Sequence, residues 1–149
     1  MPAIVSWPGR IPAGGVVREV VTTMDVLPTF AAIARSGWVP ERGIDGHDVR
    51  GLFRGRPGQK SPTGTFLYYQ AKGPLAAIRK GDLKLWLESG EVYDLAVDVS
   101  EKWDLSKRED LAETIAAMRE EALALDAEIT SNARPEAHVE GLVFDPARD

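Results

Sequence analysis

Two groups of residues have types and spacing that could do chemistry. Asp45, His47 and Asp48 place two carboxylates and an imidazole within four positions, a set that could ligate a metal ion. The same stretch contains Asp45-Gly46, a turn-forming pair, and a turn with His47 at the surface is the favoured reading. Asp94, Asp98 and Glu101 gather three carboxylates in one short segment. Acids just after a strand more often accept main-chain N–H bonds and shape the turn. Arg79 and Lys84 are expected to meet these acids as structural ion pairs across a sheet. His138 stands alone in a polar tail, where a surface role is favoured. The sequence holds no cysteine, which removes thiolate metal sites, cysteine nucleophiles and disulfides from consideration.

Two kinds of structure have to position these groups. Ala3-Ile4-Val5-Ser6-Trp7 is almost unbroken apolar sequence stopped by Pro8-Gly9. That pattern predicts a strand covered on both faces, as in a parallel sheet. Residues 16–21 read as a second short extended segment. Asp25 is the expected N-cap of a helix with Pro28 at its third position, where a missing N–H costs no helical bond. Leu27, Phe30, Ala31 and Ala34 make its apolar face, and Gly37 its stop. Residues 38–64 are loop-like and rich in glycine, with one helical turn expected at 48–53.

From Thr65 the pattern changes to β signals. Thr65-Phe66-Leu67-Tyr68-Tyr69, Leu75-Ala76-Ala77-Ile78-Arg79, Leu83-Lys84-Leu85-Trp86-Leu87 and Val92-Tyr93-Asp94-Leu95 predict four short strands. Gly81-Asp82 suits a tight hairpin between the second and third. An antiparallel meander of this kind needs a cover for its apolar face. A helix over about 107–129 can supply it: Ser106 and Glu109 fit a capping box, and Leu111, Ile115, Met118, Ala122, Leu125 and Ile129 recur at helical spacing. A coiled-coil dimer would use the same stripe, but a helix lying across the sheet is the favoured reading. The fold class expected is therefore α/β, turning to α+β in the second part. Residues 1–60 read as the remnant of a large α/β domain. Residues 61–149 read as a four-stranded antiparallel sheet under a long helix, with a polar tail interrupted by Leu142-Val143-Phe144.

Bulk properties narrow the classes. The chain has 149 residues, 44% hydrophobic and 28% charged, as expected of a globular protein. A formal charge of −5 with scattered Lys and Arg argues against nucleic-acid and anionic-membrane partners. No apolar run approaches the ~20 residues of a membrane span. Without a basic, apolar leader the chain as written would stay in the cytosol.

Six phrases, each weak alone, fall in a familiar order. They are Pro2-Ala3-Ile4-Val5-Ser6-Trp7-Pro8-Gly9-Arg10-Ile11, Met24-Asp25-Val26-Leu27-Pro28-Thr29-Phe30 and Ile44-Asp45-Gly46-His47-Asp48-Val49. Then come Ala77-Ile78-Arg79-Lys80-Gly81-Asp82-Leu83-Lys84-Leu85, Val92-Tyr93-Asp94-Leu95, and Asp98-Val99-Ser100-Glu101-Lys102-Trp103-Asp104-Leu105. Over residues 2 to about 105 the chain resembles the C-terminal portion of sulfatases, arylsulfatase-like members of the alkaline-phosphatase superfamily. Val99 stands where the family usually has Pro, and Asp104 where Asn is common; both bear on turn shape rather than chemistry.

The resemblance implies sulfuric ester hydrolysis in the intact protein. Sulfatases use a formylglycine made in a Cys/Ser-x-Pro-x-Arg motif, and a calcium ion that stabilises the sulfate oxygens. In the family those groups lie upstream of the Trp-Pro-Gly strand. Residues 1–60 would then be the end of the catalytic domain and 61–149 its C-terminal subdomain, with no catalytic or metal-binding residue expected here. Ser6-Trp7-Pro8-Gly9-Arg10 does match Ser-x-Pro-x-Arg. However, the usual Thr-Gly is missing downstream, and Pro12 and Gly14-Gly15 make a loop where the motif normally opens a helix.

The loop Gln70-Ala71-Lys72-Gly73-Pro74 joins the first two strands of the second part, and in the family such loops can form part of the pocket rim. Lys72 and Gln70 are therefore the candidate substrate-binding residues, with a solvated hairpin loop as the alternative. Partners consistent with the resemblance are a catalytic portion missing from this chain, or a second copy meeting it through exposed apolar surface. An independent interaction module, a split subunit, and a fragment of a phosphonate or phosphodiester hydrolase of the same superfamily are the alternatives. The parent could be exported to the periplasm or beyond.

Overall fold

The computed structural model describes residues 3–40, 43–71 and 73–132. The chain forms two compact units, Met1–Phe66 and Leu67–Asp149, with the division falling inside the first strand.

The four β-rich segments become β1 (Thr65–Tyr69), β2 (Leu75–Lys80), β3 (Leu83–Trp86) and β4 (Val92–Asp94), in the sheet order β1-β2-β3-β4. β2 and β3 pair antiparallel with Lys80 opposite Leu83, leaving Gly81-Asp82 as a two-residue turn. Gly81 has φ 59° at the first turn position, a conformation that costs glycine nothing. Register places Ile78 opposite Leu85, and Leu85 opposite Val92. These three fully buried side chains therefore form one row across a single face.

A long helix covers that row. α3 in chain order spans Ala112–Ser131 and buries Met118 and Ala122 against Ile78, Leu85 and Val92. Leu67, Leu75, Leu105 and Ile115 pack at the margin. The 20 residues span about 30 Å. Ile129 is 51% exposed, so the apolar stripe leaves the sheet in its last turns. Polar ties flank the contact: Tyr69 Oη donates to Asp126 Oδ1 at 2.8 Å, and Arg119 Nη1 donates to the Leu87 carbonyl at 2.7 Å. Lys80 also pairs with Glu121. This is the helix-across-sheet arrangement.

The helix start differs from expectation. The Ser106–Glu109 capping box does not form; a 3₁₀ turn at Glu109–Leu111 leads into the α-helix at Ala112. The reason lies two residues upstream. Asp104 takes the Ser106 hydroxyl at Oδ2 (2.6 Å) and the Ser106 N–H at Oδ1 (2.9 Å). A charged acceptor outcompetes the helix terminus for that serine.

The first unit contains α1 (Val26–Ala34), entered through a 3₁₀ turn at Thr23–Asp25, and α2, a single turn at Arg50–Phe53. Pro28 is the third helical position, as expected; Asp25 sits at the N-cap position, but its carboxylate caps no α1 N–H and instead accepts those of Thr22 and His47. Arg35 closes the helix at φ 51°, before Gly37. The predicted strand at residues 3–7 and the extended segment at 16–21 are not strands. Among the described residues no backbone hydrogen bond pairs residues 3–6 or 15–18 with a neighbouring segment. A strand exists only through its ladder, and among the described residues neither segment has one.

The expected apolar face of α1 also points the other way. Leu27 and Phe30 are 61% and 58% exposed, while Asp25 and Thr29 are fully buried. These two polar side chains hold the main chain around His47 and Val49, so the loop at residues 44–49 lies along the polar side of α1. The approach is close: a Cβ on Gly46 would lie 1.9 Å from the Met24 carbonyl oxygen.

Met118→Ala should lower the stability of the helix–sheet unit by about 2–5 kcal/mol through the cavity it leaves. Urea unfolding followed by circular dichroism checks this; a loss well under 1 kcal/mol would contradict the packing described.

Candidate functional site

The densest cluster of interacting polar side chains lies on the face of the sheet away from α3. Lys84 neighbours Leu85 on β3, and alternation turns it to the opposite face from the core row. Its side chain is only 8% exposed. Lys84 Nζ sits 4.8 Å from the Tyr68 ring centre and 4.1 Å from that of Trp86, and it donates to Glu101 Oε1 at 2.7 Å. Trp86 Nε1 donates to Glu101 Oε2, also at 2.7 Å. Burial pulls the Glu101 carboxyl upward, but the bonds from Lys84 and Trp86 and the lysine charge outweigh it and hold it below the usual range. Glu101 adopts φ 53°, a left-handed conformation uncommon for a residue with a side chain.

The neighbouring acids build the turn that delivers Glu101. Asp94 Oδ1 accepts the Ala96 N–H at 2.9 Å. Asp98, 5% exposed, accepts the N–H groups of Lys102 and Trp103 on one oxygen at 2.7 and 2.8 Å. Asp104 Oδ1 accepts the Val92 N–H at 3.0 Å, occupying the free edge of β4. Lys84 meets Glu101 as the sequence suggested. Arg79 does not join the cluster: it donates to the Gly81 carbonyl and lies 3.9 Å from Asp82, because the tight hairpin brings its own acceptors closer.

The Asp45–His47–Asp48 group is drawn apart. Asp48 pairs with Arg50 at 2.7 Å and accepts its N–H. His47 gives its N–H to Asp25 Oδ1 at 2.8 Å, with its ring Nδ1 3.8 Å from the same oxygen. Among the described residues no three His, Cys, Asp or Glu side chains converge as a metal site. They therefore do not fit the calcium ion that sulfatase resemblance implies. Ser6 lies in an exposed segment without regular secondary structure, before the turn at Trp7–Arg10, where Arg10 stacks 5.8 Å from the Trp7 ring centre.

Gln70 is exposed at the mouth of the β1–β2 loop, its N–H bonded to the Pro74 carbonyl and its carbonyl to the Gly73 N–H. Lys72 and His138 lie outside the described residues. Sequence reasoning missed the buried Asp25–Thr29 pair and the Trp86–Glu101 bond. The spacing of one helical turn between Asp25 and Thr29 was the available signal for the first. The second joins residues 15 apart, and nothing local announces it.

No family model matches the chain. Individual relatives do. Mouse steryl-sulfatase is 38% identical over 79 residues, covering 53% of this chain and 12% of that protein. Bovine arylsulfatase A is 41% identical over 70 residues, covering 47% and 13% respectively. Dog N-acetylgalactosamine-6-sulfatase is 32% identical over 101 residues, covering 65% of the chain and 19% of its own length. Over these stretches the chain is similar in sequence to sulfatases. It spans less than a fifth of these sulfatases. A solved Bacteroides thetaiotaomicron protein, provisionally described as a sulfatase, aligns over 72% of this chain and 24% of its own, at 22% identity and a TM-score of 0.47.

The sulfatase-like turn yields a pH prediction. The Ser106 hydroxyl, then the Val92 and Ser106 N–H groups, hold the Asp104 carboxyl below its ordinary 3.8. A depressed carboxyl stabilises the fold above 3.8 and loses that contribution as pH falls through the folded-state value. Asp104→Asn keeps an oxygen for both N–H groups and should abolish this acid-dependent part. Asp104→Ala should cost about 1 kcal/mol at neutral pH. Unfolding midpoints measured between pH 3 and 7 distinguish the three forms.

Proposed function

We propose that this chain is the C-terminal part of a sulfatase-type sulfuric ester hydrolase, acting only together with a catalytic portion that supplies the formylglycine and the calcium site. One observation carries the reading: the acids and cations that could have done chemistry are engaged in folding. Lys84 and Glu101 satisfy one another, Asp98 and Asp104 hold main-chain N–H groups, and Asp25 anchors the loop at 44–49. Identity of 32–41% to sulfatases, over 12–19% of their length, supports the family side of the proposal.

The catalytic portion could be continuous with this chain or separate from it. Ile4, Leu27 and Phe30, at 97%, 61% and 58% exposure, favour a protein partner in either case. In that setting Lys72 and Gln70 are proposed for the pocket rim, with the Lys72 ammonium facing an anionic ester.

The purified chain should show no turnover of an aryl sulfate ester; sustained turnover would sink the proposal. Alone, it should self-associate through the uncovered surface, and Leu27→Glu with Phe30→Glu should shift it toward monomer in size-exclusion chromatography. A monodisperse wild-type monomer would speak for an independent module instead. In the assembled enzyme, Lys72→Ala should raise KM for anionic esters with kcat little changed; an unaltered KM removes Lys72 from the rim.

A further inference from the structure

The segment between β4 and the 3₁₀ turn before α3 is held to the sheet in an unusual way. Its first end is fixed by Asp94, whose carbonyl accepts the Val97 and Asp98 N–H groups. Its last end is fixed where the Leu105 N–H meets the Val92 carbonyl at 2.8 Å. Between them, the side chain of Glu101 reaches back to Lys84 and Trp86 on β3. Leu105, at its far end, packs against the core, but the apolar residues between the two ends contribute little burial: Val97, Val99 and Trp103 are 77%, 79% and 66% exposed. What holds its middle is therefore polar. Ala77 and Tyr93, on the sheet face away from α3, are nonetheless 0% and 7% exposed.

We propose that residues 96–103, between the fixed ends at Asp94 and Asp104-Leu105, form a strap closed over the second face of the sheet by Glu101 as its latch, and that this strap opens while the α3–sheet core stays folded. Three features support separability. The core row of Ile78, Leu85 and Val92 lies on the other face and packs on Met118 and Ala122, without Glu101. The left-handed backbone at Glu101 is a strained state that persists only while its surroundings hold it. Segments that bury few apolar contacts are the ones that open locally below the global unfolding free energy. Losing the Glu101 charge also leaves the Lys84 ammonium buried between two rings without its counter-ion, which favours release.

The charged and titratable groups facing Glu101 are Lys84 from β3, Asp98 from the strap itself and Tyr93 from β4, with the Tyr68 ring of β1 against Lys84. Lys84 sets the sign. The latch contributes above the ordinary glutamate value of 4.5 and is lost as pH falls below it.

Hydrogen exchange by NMR on the full chain tests this, using the Lys102 and Trp103 amides and the Trp86 indole N–H as strap probes, and the Ile78 and Leu85 amides as core probes. In Glu101→Gln, strap protection factors should fall about tenfold or more, since bonds to charged groups are the stronger ones, with the core unchanged. Glu101→Gly, which removes the carboxylate but also relieves the backbone strain of the closed strap, should lower strap protection below wild type while leaving the core unchanged. In the wild-type chain, acidification below pH 4.5 should reduce strap protection before core protection and erase the difference from Glu101→Gln. Wild-type strap protection in both variants would overturn the proposal. So would an equal loss at strap and core probes, whether caused by substitution or by acid.

Discussion

A segment that leaves a helix or a strand must find partners for its N–H groups, because burying them unmet is costly. In this chain side-chain carboxylates supply many of those partners. Glu19 accepts the Ser61 N–H, Asp25 those of Thr22 and His47, Asp98 those of Lys102 and Trp103, and Asp104 those of Val92 and Ser106. The charge strengthens each bond, and one carboxylate can serve two N–H groups that no ladder reaches. Irregular segments in both units are thereby given fixed shapes without a large apolar core of their own.

This use of carboxylates shapes what the chain can do chemically. A catalytic acid or base has to present an oxygen or nitrogen to something outside the protein, and a metal site needs several ligands that face one point. Asp25 and Asp98 are buried and face their own backbone. Glu101 has both oxygens engaged, one by an ammonium and one by an indole. The chemistry of a sulfatase would have to come from residues other than these.

How legible the fold was depended on whether an element carried its own partner. The helix–sheet unit was readable because period-two strands and a stripe at helical spacing bury each other within about 65 residues. Ile78, Leu85 and Met118 meet as their spacing implies. The strand at residues 3–7 was read from apolarity alone, and apolarity cannot create the neighbour a ladder requires. At Ser106 the capping pattern was present but Asp104 claimed the hydroxyl first, a competition visible only once both side chains are placed. At the candidate site, Lys84 with Glu101 was legible as a charge pair. Lys72 was singled out by family likeness and not by anything in its own surroundings.

Helix α1 shows why apolar periodicity is not the same as burial. Its sequence contains both a polar pair one turn apart, Asp25 and Thr29, and an apolar pair, Leu27 and Phe30. Pattern reading assigns the apolar pair to the core, since transfer from water favours it by roughly 25 cal/mol per Å². Within Met1–Phe66 the polar pair wins the interior, because it satisfies several buried main-chain groups in the loop at 44–49, whereas the apolar pair has no complementary surface in that unit. Burial on this helix is thus decided by which side chains the loop at 44–49 can use, and the apolar pair is left exposed.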